Sequence, residues 1–248
     1  MRLFAHQLRA EQLVFWRSRE AAVFVFLFPI LLFVLLNSVY SGTSEGHPVV
    51  DVLITGLLGY GVANTALAGL GILLVGRRET GLLKRLRSTP LPAPTYLAAA
   101  IVSILVVFAI QAVALVALGV FVFGAGAPSR PLSLAAVLVL GALAFAAMGF
   151  AAASLIRTAE GASPVMNVVV LPMAFLSGGF GPTRHLPGFL DAIANVLPLT
   201  YFIELVKAVS LDGDGAWTRP GAIAVVAAWG AAALVVTLRR WRWEPREG

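Results

Sequence analysis

The chain alternates between long apolar stretches and short polar segments. Six stretches lack Asp, Glu, Lys, Arg and His altogether, and they cover residues 21–40, 52–76, 95–123, 132–156, 161–181 and 221–238. About 20 apolar residues in a helix cross the roughly 30 Å hydrocarbon core of a bilayer, and the segment must be helical because its backbone finds no water there. The pattern predicts an all-α integral membrane protein with six transmembrane helices in a single domain, 1–248.

Composition agrees with this class, since 59% of the residues are hydrophobic and only 12% are charged. The first stretch follows about twenty rather polar residues and exceeds the roughly 7 to 15 apolar residues of a signal peptide. No small-residue cleavage site closes it, so we expect a retained helix. The chain has no cysteine, which excludes disulfides and Cys-ligated metals.

The basic residues predict the orientation. With the N-terminus inside, 14 of the 18 Lys and Arg residues lie in cytoplasmic segments. This distribution favours two cytoplasmic termini in the cell membrane, as six spans require. The formal net charge of +6 therefore reflects topology, and we do not expect nucleic-acid binding.

Residues 1–20 place Phe4, Leu8 and Phe15 close to one helical face, with Arg17 near the bilayer. This pattern is typical of an interfacial helix that lies on the membrane surface. We expect its role to be anchoring.

Small residues recur every four positions in the second stretch, at Gly61, Thr65 and Gly69. Such a row lets helix backbones approach closely, so we expect this helix to pack against neighbours. Asn64 lies between these positions and either belongs to the packing or lines a path. Three further uncharged polar residues in spans are expected to form interhelical hydrogen bonds rather than to bind a substrate, which is the alternative role: Asn37, Gln111 and Asn167.

The lack of charge within the spans argues against proton- or sodium-coupled transport, which usually needs a charged residue at membrane depth. A nucleotide-binding P-loop requires a Gly-Lys pair, whereas the two lysines follow Leu83 and Val206. If the protein transports uphill, its energy must come from a partner.

The cytoplasmic segment 77–94 is the candidate for this input. Leu82, Leu83 and Leu86 follow Glu79 at helical spacing, and basic residues occupy the other faces. Pro90 and two further prolines then end the helix. The leucine face either enters a groove on a partner, or the helix lies on anionic lipid.

Two stretches carry a resemblance to a known family. One holds Glu79-x-Gly81, Leu86 and Thr89-Pro90-Leu91; the other holds Leu176-Ser177-Gly178-Gly179-Phe180-Gly181-Pro182, then Leu186-Pro187-Gly188-Phe189-Leu190 and Leu197-Pro198-Leu199-Thr200-Tyr201. Together they resemble the type-2 ATP-binding-cassette (ABC) transporter permeases, which are mostly bacterial exporters. Lys84 and Ala99-Ala100 depart from the family's frequent acidic residue and Gly-Lys pair.

The resemblance implies that segment 77–94 forms a cytoplasmic coupling helix that docks on a separate ATPase subunit. The implied coupling residues are Arg78, Glu79, Gly81, Leu82, Leu83, Leu86, Arg87 and Pro90. It also implies short re-entrant helices at the outer face, in residues 182–210, that act as a gate. The implied gate residues are Phe180, Pro182, Pro187, Pro198, Glu204 and Lys207. Glu204 and Lys207, three residues apart, are expected to pair.

The implied function is that of the transmembrane subunit of an exporter, with ATP and Mg²⁺ bound by two ATPase subunits and with a second permease copy, identical or different. We expect the chain itself to bind no cofactor or metal and to hold no catalytic residue. Apolar walls suit a hydrophobic or amphiphilic cargo such as a drug, an antibiotic or a lipid. The alternatives are an ATP-independent carrier or channel, a polysaccharide-exporting permease and a membrane-embedded enzyme.

Overall fold

Helices make up nearly all of the secondary structure. The computed structural model describes residues 2–44, 46–88, 91–181 and 187–241. The α-helices in these ranges are α1 (Arg2–Arg17), α2 (Arg19–Val39), α3 (Val49–Val62), α4 (Leu70–Glu79), α5 (Leu82–Arg87), α6 (Ala93–Phe123), α7 (Pro131–Leu155), α8 (Ala159–Leu176), α9 (Gly188–Ala194), α10 (Pro198–Ser210) and α11 (Pro220–Arg240). A π-helix (Ala63–Gly69) joins α3 to α4 without a break. Two short antiparallel strands, β1 (Thr43–Ser44) and β2 (His47–Pro48), connect α2 to α3.

Six segments in the described ranges are long and apolar enough to cross a membrane, which confirms the predicted fold class. They are α2, the continuous α3–π–α4 segment, α6, α7, α8 and α11. The second segment runs over Val49–Glu79, longer than the predicted 52–76, and α8 ends at Leu176 rather than at 181. The helices α9 and α10 are bent by 76° at the break between them.

Proline and glycine fix several helix ends. Pro131, Pro198 and Pro220 open α7, α10 and α11, where the missing N–H of proline costs no hydrogen bond. Gly124 ends α6 with a φ of 69°, a left-handed conformation that glycine adopts without strain.

The second span is the centre of the fold. In its most apolar window 78% of the residues are buried, against 11% in α2 and 22% in α11. It packs against α6 and α10 through α3, and against α7 and α8 through the π-helix and α4. The outward surfaces of α2, α8 and α11 are apolar and exposed, as expected for helices in contact with lipid or with another membrane subunit.

The π-helix lies where the second span meets α7 at very short distance. A Cβ atom added at Gly149 of α7 would lie 2.7 Å from the carbonyl oxygen of Ala66 and 2.9 Å from that of Leu67. Only glycine permits this approach. Single π turns widen a helix locally and are frequent at functional sites, and sequence periodicity did not predict this one.

Candidate functional site

The C-terminal end of α4 holds three consecutive charged residues, each bonded to a different part of the protein. Arg77 donates to both carboxylate oxygens of Glu11 in α1, with Nη1–Oε1 at 2.9 Å and Nη2–Oε2 at 2.6 Å. Its Nη1 also donates to the Tyr96 hydroxyl in α6 at 2.7 Å. All three side chains are buried. Because a carboxylate and a guanidinium neutralise each other, the protein can hold both charges away from water.

Arg78 is buried on the opposite side, against the end of α7. Its guanidinium donates to the carbonyl oxygens of Ala153 at 2.7 Å, Ile156 at 2.5 Å and Arg157 at 3.3 Å. The last carbonyls of a helix have no partner within the helix, so Arg78 caps α7. With 2% exposure, the Arg78 side chain lies inside the protein, and its implied role as a coupling residue stays a prediction.

Glu79 completes this set by accepting a hydrogen bond from the backbone N–H of Ala159, the first residue of α8. A carboxylate is favourable there because the first N–H groups of a helix lack partners and carry partial positive charge. We refer to Arg77, Arg78 and Glu79 with these contacts as the α4 bracket. The bracket fixes the end of the second span to α1, α6, α7 and α8 at once.

The predicted coupling helix α5 follows the bracket directly. Gly81 turns the chain from α4 into α5 with a φ of 70°, which explains a glycine at this position. Leu82 is 40% exposed, whereas Leu83 is fully buried, and Leu86 is partly buried. The surface that α5 offers to a partner therefore includes Leu82 and Leu86 and excludes Leu83.

Arg87 is the last residue of α5, and Pro90 lies outside the described residues. Lys84 and Arg85 are exposed on the same helix. The accessible surface of α5 thus combines the exposed Leu82 and the partly buried Leu86 with basic side chains. This composition suits a protein groove with acidic edges or an anionic lipid surface.

A cavity of about 500 Å³ lies between α1, α2, the π-helix, α4, α6 and α8. Asn64, Thr65 and Gly69 line it, as do Ser163 and Asn167 from α8. The Glu11–Arg77 pair of the α4 bracket also belongs to the lining. The cavity is thus lined by polar groups of the second and fifth spans as well as by the ion pair of the bracket.

Gly61 serves packing outside this cavity. A Cβ at Gly61 would lie 3.0 Å from Nε2 of Gln111 and 3.2 Å from the ring of Phe108, both in α6. One turn later, Thr65 donates from Oγ1 to Oε1 of Gln111 at 3.1 Å. This bond gives Gln111 the interhelical partner expected from the sequence.

The glycine-rich turn after α8 packs against α3. A Cβ at Gly56 would lie 2.6 Å from the carbonyl oxygen of Gly178, so the two backbones are in direct contact. Phe180 is buried in this turn, with ring centroids 5.0 Å from Tyr60 and 4.6 Å from Phe175. The turn joins α8 to the centre of the fold at the end opposite the bracket.

The other predicted gate residues lie in or near α9 and α10. Pro187 precedes α9 and Pro198 is the first residue of α10, while Pro182 lies outside the described residues. Glu204 pairs with Arg219 at 3.0 Å. The pairing of Glu204 with Lys207 stays a prediction.

Arg219 is the centre of an ion cluster before α11. Besides Glu204 it contacts Asp212 at 3.1 Å and Asp214 at 3.6 Å, and His47 from β2 contacts Asp212 at 3.1 Å. The hydrogen bond to Glu204 raises the pKa of the Arg219 guanidinium. These groups are about 30 to 42% exposed, so the cluster orders the loop between α10 and α11 at modest gain in stability.

Sequence reasoning missed the role of Glu11 and Tyr96. Helix α1 is bonded to the membrane spans, since Glu11 pairs with Arg77 of α4. In addition, Gln12 donates a hydrogen bond to the Ser103 hydroxyl of α6 at 2.9 Å. One signal was present: Glu11 is the only acidic residue in the segment Arg2–Arg17. A lone acid in a basic amphipathic helix indicates a specific partner.

Comparisons with known proteins agree with this architecture. The family model described as ABC-2 type transporter matches residues 2–211. The chain is 26% identical over 179 residues to the transport permease YvfS of Bacillus subtilis, a match that covers 70% of this chain and 64% of that protein. It is 28% identical over 181 residues to the inner membrane transport permease YhhJ of Escherichia coli, covering 69% of this chain and 46% of that protein.

A further match is to nodulation protein J of Bradyrhizobium diazoefficiens, with 30% identity over 105 residues, or 42% of this chain and 40% of that protein. The alignments thus span between 40 and 64% of these relatives' own lengths. The family match covers most of the chain and includes five of the six spans. This multi-pass membrane protein belongs to the ABC-2 type transporter family.

Proposed function

We propose that the chain is the permease of an ATP-driven exporter that moves a hydrophobic or amphiphilic molecule out of a bacterial cell. In this proposal two permease copies form the path, and an ATPase subunit with ATP and Mg²⁺ docks on α5 of each copy. Both termini lie in the cytoplasm, in keeping with the distribution of basic residues. The name of the relative YhhJ, an inner membrane transport permease, supports the same membrane for this chain.

The observation that carries the proposal is the α4 bracket beside α5. A displacement of α5 acts on α4 through the two-residue connection at Thr80 and Gly81. The end of α4 is bonded to four other helices through buried or capping interactions. A push on α5 therefore moves the cytoplasmic ends of these helices together, whereas a helix resting on lipid would need no such connections.

The outer end of the protein supplies a suitable gate. The second span connects the bracket at one end to Gly56 near its other end. At Gly56 it contacts the turn around Gly178, which precedes α9 and α10. Motion of this rigid span is expected to reach the short bent pair α9–α10. In this account the α9–α10 pair opens the path outward when the ATPases close.

Docking on α5 is tested by purifying the tagged chain from its own membranes. The wild-type chain is expected to bring a P-loop ATPase with it, and Leu82→Asp with Leu86→Asp is expected to lose that subunit because two charges then face its groove. The matched variant Leu82→Met with Leu86→Met keeps the surface apolar and is expected to retain the subunit. Unchanged co-purification of the folded Asp variant would refute the docking role of α5.

Purified permease in liposomes separates the proposal from an ATP-independent carrier. Movement of an uncharged fluorescent amphiphile, such as an alkyl glucoside with a neutral fluorophore, across the bilayer is expected only when ATPase and nucleotide are both present. Equal movement by the permease alone, without nucleotide, would favour the carrier.

A further inference from the structure

The cavity beside the α4 bracket is elongated along the second span. Asn64 lines one end and Arg77 the other, and 13 helical residues at about 1.5 Å each separate them by roughly 20 Å. The cavity therefore extends from the cytoplasmic end of the span to near its middle. Its volume of about 500 Å³ lies within the roughly 300–1,000 Å³ typical of small-molecule sites.

The exposed part of the lining includes apolar side chains. Val14 of α1 and Phe24 of α2 line the cavity, yet they are 53% and 55% exposed on the outside of the protein. Ser18, Ser163 and Asn167 are the exposed polar side chains among the described lining residues. In the proposed account, a molecule dissolved in the lipid enters past Val14 and Phe24.

The charged groups of the lining cancel. Glu11 and Arg77 are the charged side chains among the described residues that line the cavity, and they form a two-point ion pair. Gln7 donates a further hydrogen bond to Glu11, and Arg77 donates one to Tyr96. A charged ligand group would lose its hydration here without meeting an opposite free charge.

Two amide side chains in the lining remain unpaired. Within the part of the chain that the structure describes, neither Asn64 nor Asn167 has a side-chain hydrogen-bond partner. Each amide can donate two hydrogen bonds and accept two, and polar groups within a bilayer seek partners strongly. Ser163 lies one turn before Asn167 and lines the same cavity. The wall thus offers hydrogen bonds without net charge.

We infer that this cavity binds an amphiphile with an uncharged hydrogen-bonding group, such as a hydroxyl or an amide, beside Asn64 and Asn167. Its apolar part lies along Ile72, Leu73 and Ile104. The inference rests on the proposed function, because it specifies the class of cargo that the permease accepts from the cytoplasmic leaflet.

Photolabelling of the permease alone in lipid nanodiscs tests this inference. The probe is decyl glucoside with a diazirine in its alkyl chain; decyltrimethylammonium and decyl sulfate with the same diazirine are its charged counterparts. Labelled peptides are quantified by mass spectrometry relative to labelling at Leu238, which is 83% exposed on α11. The glucoside is expected to label the cavity lining about tenfold more than either charged probe, because these lack a counter-charge there.

The variant Asn64→Val with Asn167→Val is expected to lower cavity labelling by the glucoside roughly tenfold, since two hydrogen bonds are lost. Asn167→Val alone is expected to lower cavity labelling by the glucoside roughly threefold. Because Asn167 is exposed, this single variant is expected to fold, so it tests the inference even where the double variant misfolds. Asn37→Val is the matched control, because Asn37 lies in α2 away from the lining, and is expected to change nothing.

Equal labelling of wild type and the double variant, or equal labelling by charged and uncharged probes, would overturn the inference. Formation of a disulfide between two copies of the Asn167→Cys variant, together with no labelling of the cavity in the wild type, would also overturn the inference. Such a result would place the Asn167 side chain at an interface between two permeases. The double variant is expected to keep its ATPase subunit, and the α5 variants are expected to keep their labelling. Failure of this inference is therefore distinguishable from failure of the proposed function.

Discussion

Replacing Glu11 with alanine is expected to destabilise the protein strongly, although the residue lies in an N-terminal helix with mostly exposed side chains. The substitution leaves the guanidinium of Arg77 buried between α1 and α6 with Tyr96 as its remaining partner. Removing one member of a buried ion pair typically costs about 3–5 kcal/mol, because the other charge is left uncompensated.

The structure sets the value for this site near the lower end of that range. Arg77 lies in the last turn of the second span, so its long side chain can partly reach water at the membrane surface once Glu11 is absent. We therefore expect a loss of about 3 kcal/mol in the free energy of unfolding. The double variant Glu11→Met with Arg77→Met fills the same space without charge and is expected to remain within about 1 kcal/mol of wild type.

Equilibrium unfolding of the purified protein in mixed micelles with increasing SDS measures both variants, with helix content followed by circular dichroism. A double-mutant cycle of Glu11→Met, Arg77→Met and their combination isolates the pair and is expected to give a coupling of about 2 kcal/mol or more. If Glu11→Ala unfolds within about 0.5 kcal/mol of wild type, the pair does not hold α1 to α4, and the reasoning about the bracket fails.

Two further substitutions test packing and capping by the same unfolding assay. Gly149→Ala is expected to cost about 1–3 kcal/mol, because its Cβ would meet backbone carbonyls of the π-helix at 2.7 and 2.9 Å. Gly76→Ala is the matched control, since a Cβ at Gly76 would have nothing within 4 Å. This control is expected to stabilise the protein by up to about 1 kcal/mol. A loss at Gly149 no larger than the change at Gly76 would contradict the close approach. Arg78→Met is expected to cost about 1–3 kcal/mol by leaving the last carbonyls of α7 without donors, and unchanged stability would contradict that role.

The six spans were predictable because membrane insertion depends on a local property. A run of about 20 apolar residues determines a spanning helix whatever its neighbours are, so the boundaries of α6, α7 and α11 differ by no more than two residues from the apolar stretches. The helix ends were predictable for a similar reason, since Pro131 and Pro220 act through their own covalent geometry.

The bracket was not predictable because it depends on long-range contacts. Glu11 and Arg77 are 66 residues apart, and hydrophobic periodicity contains no information on which charges meet. The buried position of Leu83 beside the exposed Leu82 is likewise decided by the direction in which Gly81 turns α5. The π-helix likewise lies at a long-range contact, since it meets Gly149 of α7 at very short distance.

The most direct measurement is a photo-crosslink from position 82 of α5, with Leu82 replaced by p-benzoylphenylalanine in cell membranes. The account predicts a crosslinked product that contains the P-loop ATPase subunit. As the control, Ala10 of α1 is replaced by the same photoreactive residue and is expected to give no such product. A product that contains lipid alone, with ATP-dependent transport intact, would contradict the claim that α5 receives the work of ATP hydrolysis.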